Sequence, residues 1–140
     1  MILDKADNRN LDEFAVVIIG SGPAGITTAL ELEKKNIKSI IIEAGQENYN
    51  ENSQKFYKAK VSGDSITDLS ASRLRQFGGT SGHWGGWSKP MANYNFEKWP
   101  FNSKDLDIYR KDTCEILNIK NKFRNLNLNK YLDQIEFQYS

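Results

Sequence analysis

The sequence has few of the residues that build disulfide frameworks and metal centres. Its 140 residues include one cysteine, Cys114, and one histidine, His83. A single cysteine excludes an intrachain disulfide and a cysteine-based zinc site, and the helical pattern around Cys114 predicts a small, half-buried side chain. We therefore predict no metal ligands in this sequence.

A long apolar run and an excess of one charge are also missing. The formal net charge is +1 and no basic run is present, so composition gives no reason to expect a nucleic-acid partner. No segment is long enough to cross a bilayer, and the charged residues 1–14 lack the apolar stretch of a signal peptide. These absences predict a soluble, cytoplasmic protein.

The stretch that is most informative runs from Ala15 to Gly45. An apolar strand leads into GSGPAG, a helical pattern follows, and a second apolar strand ends on Glu43. This is the order of a dinucleotide-binding βαβ unit, with an acid about twenty residues beyond the first glycine. The first strand is predicted to be buried, and the second, apolar from Ile40 to Ile42 without alternation, is predicted to be buried on both faces of a parallel sheet. The predicted fold class is therefore α/β.

Each part of this unit has a predicted role at a bound dinucleotide. Gly20 permits the turn out of the strand, Gly22 allows a pyrophosphate to approach the backbone, and Gly25 allows the helix to pack closely. Pro23 suits the first helical turn, whose N–H groups face the phosphates. Glu43 can accept from both ribose hydroxyls, and an acid at this position argues against NADP.

A second glycine-rich stretch, residues 71–91, reads ASRLRQFGGTSGHWGGWSKPM. Five glycines among small hydroxyl and aromatic residues fit neither a simple helix nor a simple strand. Such a loop could line a ring-shaped cofactor. It could equally be a surface loop whose tryptophans pack into the core, and composition alone leaves both open.

The remaining elements follow from shorter patterns. We expect a short helix over residues 53–61 and irregular chain over residues 63–70. A further helix is predicted to start at its cap, Ser103, and to continue to residue 117. Asn36 is the predicted stop of the first helix. The Asn/Lys-rich residues 120–130 predict a loop, and the alternation over residues 135–140 predicts a strand.

With both glycine stretches in view, the chain resembles the N-terminal part of a glucose–methanol–choline (GMC) type flavin oxidoreductase. The resemblance covers nearly all of residues 14–140 and rests on VVIIGSGPAG, IIIEAG and, most specifically, RLRQFGGTSGHWGG. A "WP" that introduces a helix, Trp99-Pro100, is a further similarity. The resemblance implies a Rossmann-like FAD-binding domain that is incomplete here, followed by the start of a substrate domain.

The resemblance implies FAD as cofactor and oxidation of a CH–OH group by hydride transfer to flavin N5, with alcohols or sugars as substrates. It assigns no catalytic residue to this chain, because the family's base comes from its C-terminal part. The residues that it places around FAD are Gly20, Ser21, Gly22, Pro23, Ala24, Gly25, Glu43, Ala44, Arg75, Gly78, Gly79, Thr80, Ser81, His83, Trp84 and Gly85.

Within that set, the first glycine motif would meet the pyrophosphate and Glu43 the adenosine ribose. The stretch from Arg75 to Ser81 would follow the pyrophosphate and ribityl chain, and the residues from His83 to Gly85 would approach the isoalloxazine ring. The segment around His83 is similar to that in which pyranose oxidases attach a histidine covalently to flavin. The resemblance therefore leaves two alternatives for His83: a covalent bond to the flavin, or a non-covalent contact with its ring.

The predicted organisation is a polar lead-in over residues 1–13, an FAD-binding part over 14–92, and a helix with the beginning of a truncated substrate domain over 93–140. GMC proteins are several times longer, which predicts a fragment that is inactive alone. Two alternatives remain: an NAD-linked dehydrogenase, and a non-catalytic dinucleotide-binding remnant. The sequence identifies neither the substrate nor the electron acceptor.

Overall fold

The computed structural model describes residues 10–60, 62–63, 68–123, 125–129, 132–135 and 137–139. The chain divides into two compact units, Met1–His83 and Trp84–Ser140. Each unit is described by itself below. The predicted boundary after residue 92, between the FAD-binding part and the substrate domain, stays a prediction.

The first unit is built on a parallel βαβ arrangement. Strand β1 (Val16–Ile19) pairs in parallel with β2 (Ser39–Ile42), and Val17 lies opposite Ile40. Helix α1 (Pro23–Lys34) connects them. Branched Val and Ile side chains favour the extended backbone of both strands. The predicted α/β fold class and the βαβ order are confirmed.

Both ends of α1 follow from local chemistry. Gly22 is the N-cap and Pro23 the first helical residue, where a missing N–H leaves no hydrogen bond unmade. At the other end, Asn36 has a φ of 56°, the left-handed conformation that asparagine tolerates and that ends many helices. Asn36 is therefore the stop that the sequence predicts.

The β1–β2 sheet is covered on one side only by the described residues. Burial alternates along β1, and Ile19 is 88% exposed. Helix α1 packs on the opposite side, where Gly25 lies next to Ile18. In β2, Ser39, Ile40 and Ile41 are half-buried and Ile42 is 42% exposed. The predictions that β1 is buried and that β2 is buried on both faces are therefore wrong for the described chain, because no second layer of helices packs on the side of Ile19 there.

Short helical segments follow β2. Helix α2 (Glu51–Gln54) continues into a 3₁₀ turn (Lys55–Tyr57), and α3 (Leu69–Ser72) lies ahead of the second glycine stretch. The helix predicted over 53–61 thus begins earlier, because the side chain of Asn50 caps it by accepting from Ser53 N, and its helical backbone ends at Tyr57. The region predicted to be irregular contains the start of α3, which Asp68 caps.

The second unit contains a helical segment and four short strands. Helix α4 (Ser103–Leu106), a 3₁₀ turn (Asp107–Tyr109) and α5 (Arg110–Ile116) follow one another without a break. The N-cap is Asn102 and not the predicted Ser103, because Asn102 and Asp105 form a reciprocal capping box. Cys114 in α5 is buried.

The strands of this unit are β3 (Trp87–Ser88), β4 (Asn125–Asn129), β5 (Leu132–Ile135) and β6 (Gln138–Tyr139). β3 and β6 are antiparallel, as are β4 and β5. The loop predicted over 120–130 is wrong where β4 lies: the Asn–Leu alternation there has the two-residue period of a strand. The strand predicted over 135–140 is divided between β5 and β6, and residues 136 and 140 lie outside the described chain.

No helix among the described residues is long and apolar enough to cross a bilayer.

A small aromatic cluster in the second unit includes Trp99 of the Trp99-Pro100 dipeptide. The ring of Trp99 lies edge-on to Phe96 at 5.9 Å and to Phe101 at 5.1 Å between centroids. Phe96 is buried, and its ring also lies 6.3 Å from that of Phe101 between centroids, so the three rings pack on one another.

Candidate functional site

The turn between β1 and α1 forms the base of the candidate site. Gly20 has a φ of +96°, a conformation that a side chain would strain, and its N–H donates to Ile42 O at 2.8 Å. This conformation turns the chain from β1 into the N-terminus of α1 at the carboxyl edge of the sheet. The predicted role of Gly20 in the turn is confirmed.

Two other glycines of this motif differ in what surrounds them. A Cβ on Gly25 would lie 2.1 Å from Gly20 O, so only glycine allows α1 to pack this close to the turn. A Cβ on Gly22 would meet nothing within 4 Å. Gly22 therefore faces open space beside the first turn of α1, as the approach of a phosphate group requires.

Glu43 follows β2 and bonds to the same turn. Its Oε2 accepts from Ser21 N at 2.9 Å and from Ser21 Oγ at 2.7 Å, while Oε1 accepts from Gly45 N at 2.7 Å. The prediction that Glu43 accepts from both ribose hydroxyls is untested.

These hydrogen bonds also set the charge state of Glu43. Partial burial acts to raise its pKa, but the bonds from Ser21 N–H and O–H and from the backbone of Gly45 and Ala44 together outweigh that effect. The pKa of Glu43 therefore lies below its ordinary value. The site holds a carboxylate, and not a carboxylic acid, near neutral pH.

The second glycine stretch meets the first at Ser21 and Gly22. Gly78 N donates to Ser21 Oγ at 3.0 Å, across a separation of 57 residues. Gly79 has a φ of +61°, and a Cβ on it would lie 3.4 Å from Gly22 Cα. The structure thus brings the two glycine motifs into direct contact.

Helix α2 holds the chain ahead of Gly78. The buried side chain of Gln54 donates to Ser70 O and Arg73 O and accepts from Arg75 N. Arg75 donates from Nη1 to Ser53 Oγ at 2.7 Å. Sequence reasoning missed Ser53 and Gln54, because a polar side chain in a short helix gives no signal that it is buried.

Arg75 was predicted to lie along the pyrophosphate. In the structure its guanidinium lies over the ring of Phe56, 4.6 Å from the centroid, in addition to its bond with Ser53. Its contact with a pyrophosphate stays a prediction. The observed role of Arg75 is to join the glycine-rich stretch to α2.

The remaining predicted residues of the stretch lie in and after a 3₁₀ segment, Gly79–His83. Thr80 Oγ1 accepts from Leu74 N at 3.2 Å, and Ser81 Oγ donates to Gly78 O at 2.7 Å, so both hydroxyls stabilise the loop itself. His83 is exposed at the end of the segment. Contacts of these side chains with a flavin stay predictions.

Trp84 and Gly85 belong to the second unit. Trp84 Nε1 donates to Trp87 O at 3.0 Å, and a Cβ on Gly85 would lie 3.3 Å from Trp87 Cδ1. These contacts form a local turn ahead of β3. The predicted approach of Trp84 and Gly85 to a flavin ring is untested.

Three predicted site residues complete the placement. Pro23 and Ala24 are the first residues of α1, directly after the open position at Gly22, and Ala44 lies between Glu43 and Gly45. No group of histidine, cysteine and acidic side chains that could hold a metal occurs in the part of the chain that the structure describes. The geometry thus defines a dinucleotide-binding α/β site in the first unit.

The comparison with protein families agrees with that class. The family model for pyridine nucleotide-disulphide oxidoreductases matches residues 14–126, which is most of the chain. The protein belongs to this family, whose members bind FAD or NAD(P) and carry out oxidation–reduction. In the comparisons with curated proteins and with solved structures, no match to the chain was found.

A dinucleotide fits the residues present. The open position at Gly22 stands at the N-terminus of a twelve-residue helix, where unpaired N–H groups and the helix dipole favour a pyrophosphate. Glu43 supplies an ionised acceptor at the end of the neighbouring strand. The protein is therefore a dinucleotide-binding oxidoreductase by family, fold and site.

Proposed function

We propose that the chain is the FAD-binding N-terminal part of an oxidoreductase that acts on CH–OH groups of alcohols or sugars. The observation that carries this proposal is the hydrogen bond from Gly78 N to Ser21 Oγ, which joins the two glycine motifs. A site for the adenosine half alone would need only the first motif. The second motif extends the site along a longer ligand, and the resemblance of RLRQFGGTSGHWGG to GMC enzymes supports flavin as that ligand.

Different residues of the first unit would contact different parts of the cofactor. Gly22 and the N-terminus of α1 would receive the pyrophosphate, and Glu43 would accept from the adenosine ribose. The 3₁₀ segment from Gly79 to His83 would follow the rest of the cofactor. The bound flavin would supply a two-electron acceptor for hydride from the carbinol carbon. We assign the base that removes the hydroxyl proton to no residue of this chain.

Ligand titration tests this proposal against the alternatives. The purified chain is titrated separately with FAD, ADP and NAD, and binding is followed by calorimetry and by flavin fluorescence. We expect FAD to bind more tightly than ADP. A colourless protein that binds NAD and ignores FAD would instead support an NAD-linked dehydrogenase.

Catalysis is tested on the protein from its native source. Its intact mass is measured, and a panel of alcohols and sugars is added while the flavin absorbance is recorded. We expect a mass above that of the 140-residue chain and bleaching by at least one class of alcohol. Flavin that binds but is never bleached would favour the non-catalytic remnant.

The covalent version of the proposal concerns His83. Its exposure at the end of the 3₁₀ segment leaves the imidazole accessible to a bound ring. The holoprotein is denatured with acid and filtered, with a His83→Ala variant as control. Flavin that stays with the wild-type polypeptide but not with the variant supports the bond, and complete release from wild type excludes it.

A further inference from the structure

Ser21 occupies an unusual position for a residue of a nucleotide-binding turn. Its relative exposure is 0%, although it lies between two glycines at the mouth of the site. Its hydroxyl donates to Glu43 Oε2 at 2.7 Å and accepts from Gly78 N at 3.0 Å. Ser21 therefore directs its side chain into the protein and away from the ligand.

An enclosed hydroxyl of this kind controls the geometry of its partners. The N–H of Gly78 is partly buried and would lose its acceptor if it moved away from Ser21, so the hydroxyl holds Gly78 in place. Gly78 in turn carries Gly79, whose backbone lies against Gly22. One hydroxyl thus fixes the separation between the two glycine motifs.

The acceptor side of the link is equally specific. Glu43 receives both the N–H and the O–H of Ser21 on one oxygen, which fixes the direction in which the hydroxyl hydrogen points. The remaining lone pairs of Ser21 Oγ then face Gly78. Serine combines a donor and an acceptor in the smallest side chain able to do this, whereas alanine offers neither.

We infer that Ser21 is a positioning residue that sets the spacing of the two glycine motifs and so selects ligands long enough to touch both. The inference rests on the proposed function, in which the first motif meets the ADP half of FAD and the second meets the flavin half. Loss of the hydroxyl would then weaken FAD more than ADP. Serine at this position would distinguish a whole FAD from its adenosine fragment.

The experiment compares wild type with Ser21→Ala, and with Thr28→Ala as the matched control. Thr28 lies in the same βαβ unit and is exposed, and among the described contacts its hydroxyl donates only to Ala24 O within α1. Dissociation constants for FAD and for ADP are measured for each protein. Amide hydrogen exchange at Gly78 is measured without ligand, and urea unfolding reports overall stability.

We expect Ser21→Ala to lower FAD affinity about tenfold more than ADP affinity and to speed exchange at Gly78 about tenfold, because the amide loses its acceptor. Ser21→Cys, with a weaker donor and acceptor, should give an intermediate ratio. Thr28→Ala should leave the ratio and the exchange rate unchanged. A purely structural role would lower the FAD and ADP affinities by the same factor, and that result would overturn the inference.

Failure of the inference differs from failure of the proposed function. If wild type binds ADP but not FAD, the proposed cofactor is wrong, and exchange at Gly78 still tests the link. Faster exchange in Ser21→Ala then upholds the spacing role of the hydroxyl. Unchanged exchange contradicts it, whatever the protein binds.

Discussion

The carboxylate of Glu43 shows how one side chain is tuned by neutral neighbours. Its described hydrogen-bond donors are Ser21 and the backbone of Gly45 and Ala44, and none of them carries a charge. Its lowered pKa therefore comes from hydrogen bonds to the ionised form and not from a cation. Arg75, in the adjoining stretch, is bonded to Ser53 instead.

This arrangement predicts an acid-sensitive contribution to stability. Because the folded-state pKa lies below the ordinary value of 4.5, the contribution is complete above pH 4.5 and is lost as pH falls through the lowered pKa. We expect Glu43→Gln to be less stable than wild type by about 1 kcal/mol at pH 7, with the gap closing below pH 4. Urea unfolding from pH 7 to pH 3 measures it.

The difference in stability between wild type and Glu43→Gln does not contain the effects of other acidic residues. Asp68 also has a lowered pKa, from its bonds with Ser70, but it is present in both proteins and cancels in the difference. A gap of constant size across the whole pH range would show that Glu43 does not act through its charge.

Two glycines of the first motif allow a matched pair of substitutions. Gly25→Ala places a Cβ 2.1 Å from Gly20 O, so the backbone must move, and we expect a loss of about 2 kcal/mol in unfolding free energy. Gly22→Ala meets nothing within 4 Å and should cost less than about 1 kcal/mol. Urea unfolding of the two variants gives the difference directly.

FAD affinity should show a large effect for Gly22→Ala, the variant of this pair that loses less stability. The Cβ of Gly22→Ala would project into the space that the pyrophosphate is proposed to use, so we expect at least about a tenfold loss of FAD affinity at nearly unchanged stability. FAD titration checks this. Unchanged affinity would mean that the pyrophosphate does not approach Gly22.

At the scale of an element, α2 acts as a brace for the glycine-rich stretch. Gln54 uses both amide hydrogens and its carbonyl oxygen on the backbone between Ser70 and Arg75. We expect Gln54→Leu to lose about 2–3 kcal/mol of stability, since three backbone groups lose a partner in a buried place. Urea unfolding provides the measurement.

Asn52→Ala is the control for this prediction. Asn52 lies in the same helix, is exposed, and bonds only the exposed Lys55 among the described contacts. Its replacement should change stability by less than about 0.5 kcal/mol. Equal effects of the two substitutions would show that α2 is needed as a helix but not for its contact with the stretch.

The elements show what the sequence could predict. The βαβ unit was predictable because its signals are local: the turn at Gly20, the stop at Asn36 and the acid at Glu43 each follow from neighbouring residues. The bond between Ser21 and Gly78 joins positions 57 residues apart, and no local pattern contains it. The predicted cap at Ser103 was one residue late, because neighbouring Asn102 and Ser103 are both good caps.

At the scale of the whole molecule, the βαβ sheet has one covered and one open side. Ile18 lies against α1, whereas Ile19 is 88% exposed. We expect Ile18→Ala to cost about 2–4 kcal/mol and Ile19→Ala less than about 1 kcal/mol. Unfolding of both variants under one set of conditions checks the prediction, and equal losses would indicate that the open side is covered in solution.

The open side of this sheet also bears on how the protein is made. β1, α1 and β2 are contiguous, so they leave the ribosome together, ahead of the second glycine stretch that binds to Ser21. Synthesis at roughly 5–20 residues per second leaves an interval of seconds between the emergence of β2 and that of Gly78, in which Ser21 lacks its backbone partner. Ile19 is still 88% exposed after Gly78 has bound to Ser21, so the open side of β1 stays accessible to chaperones and to other chains beyond that interval.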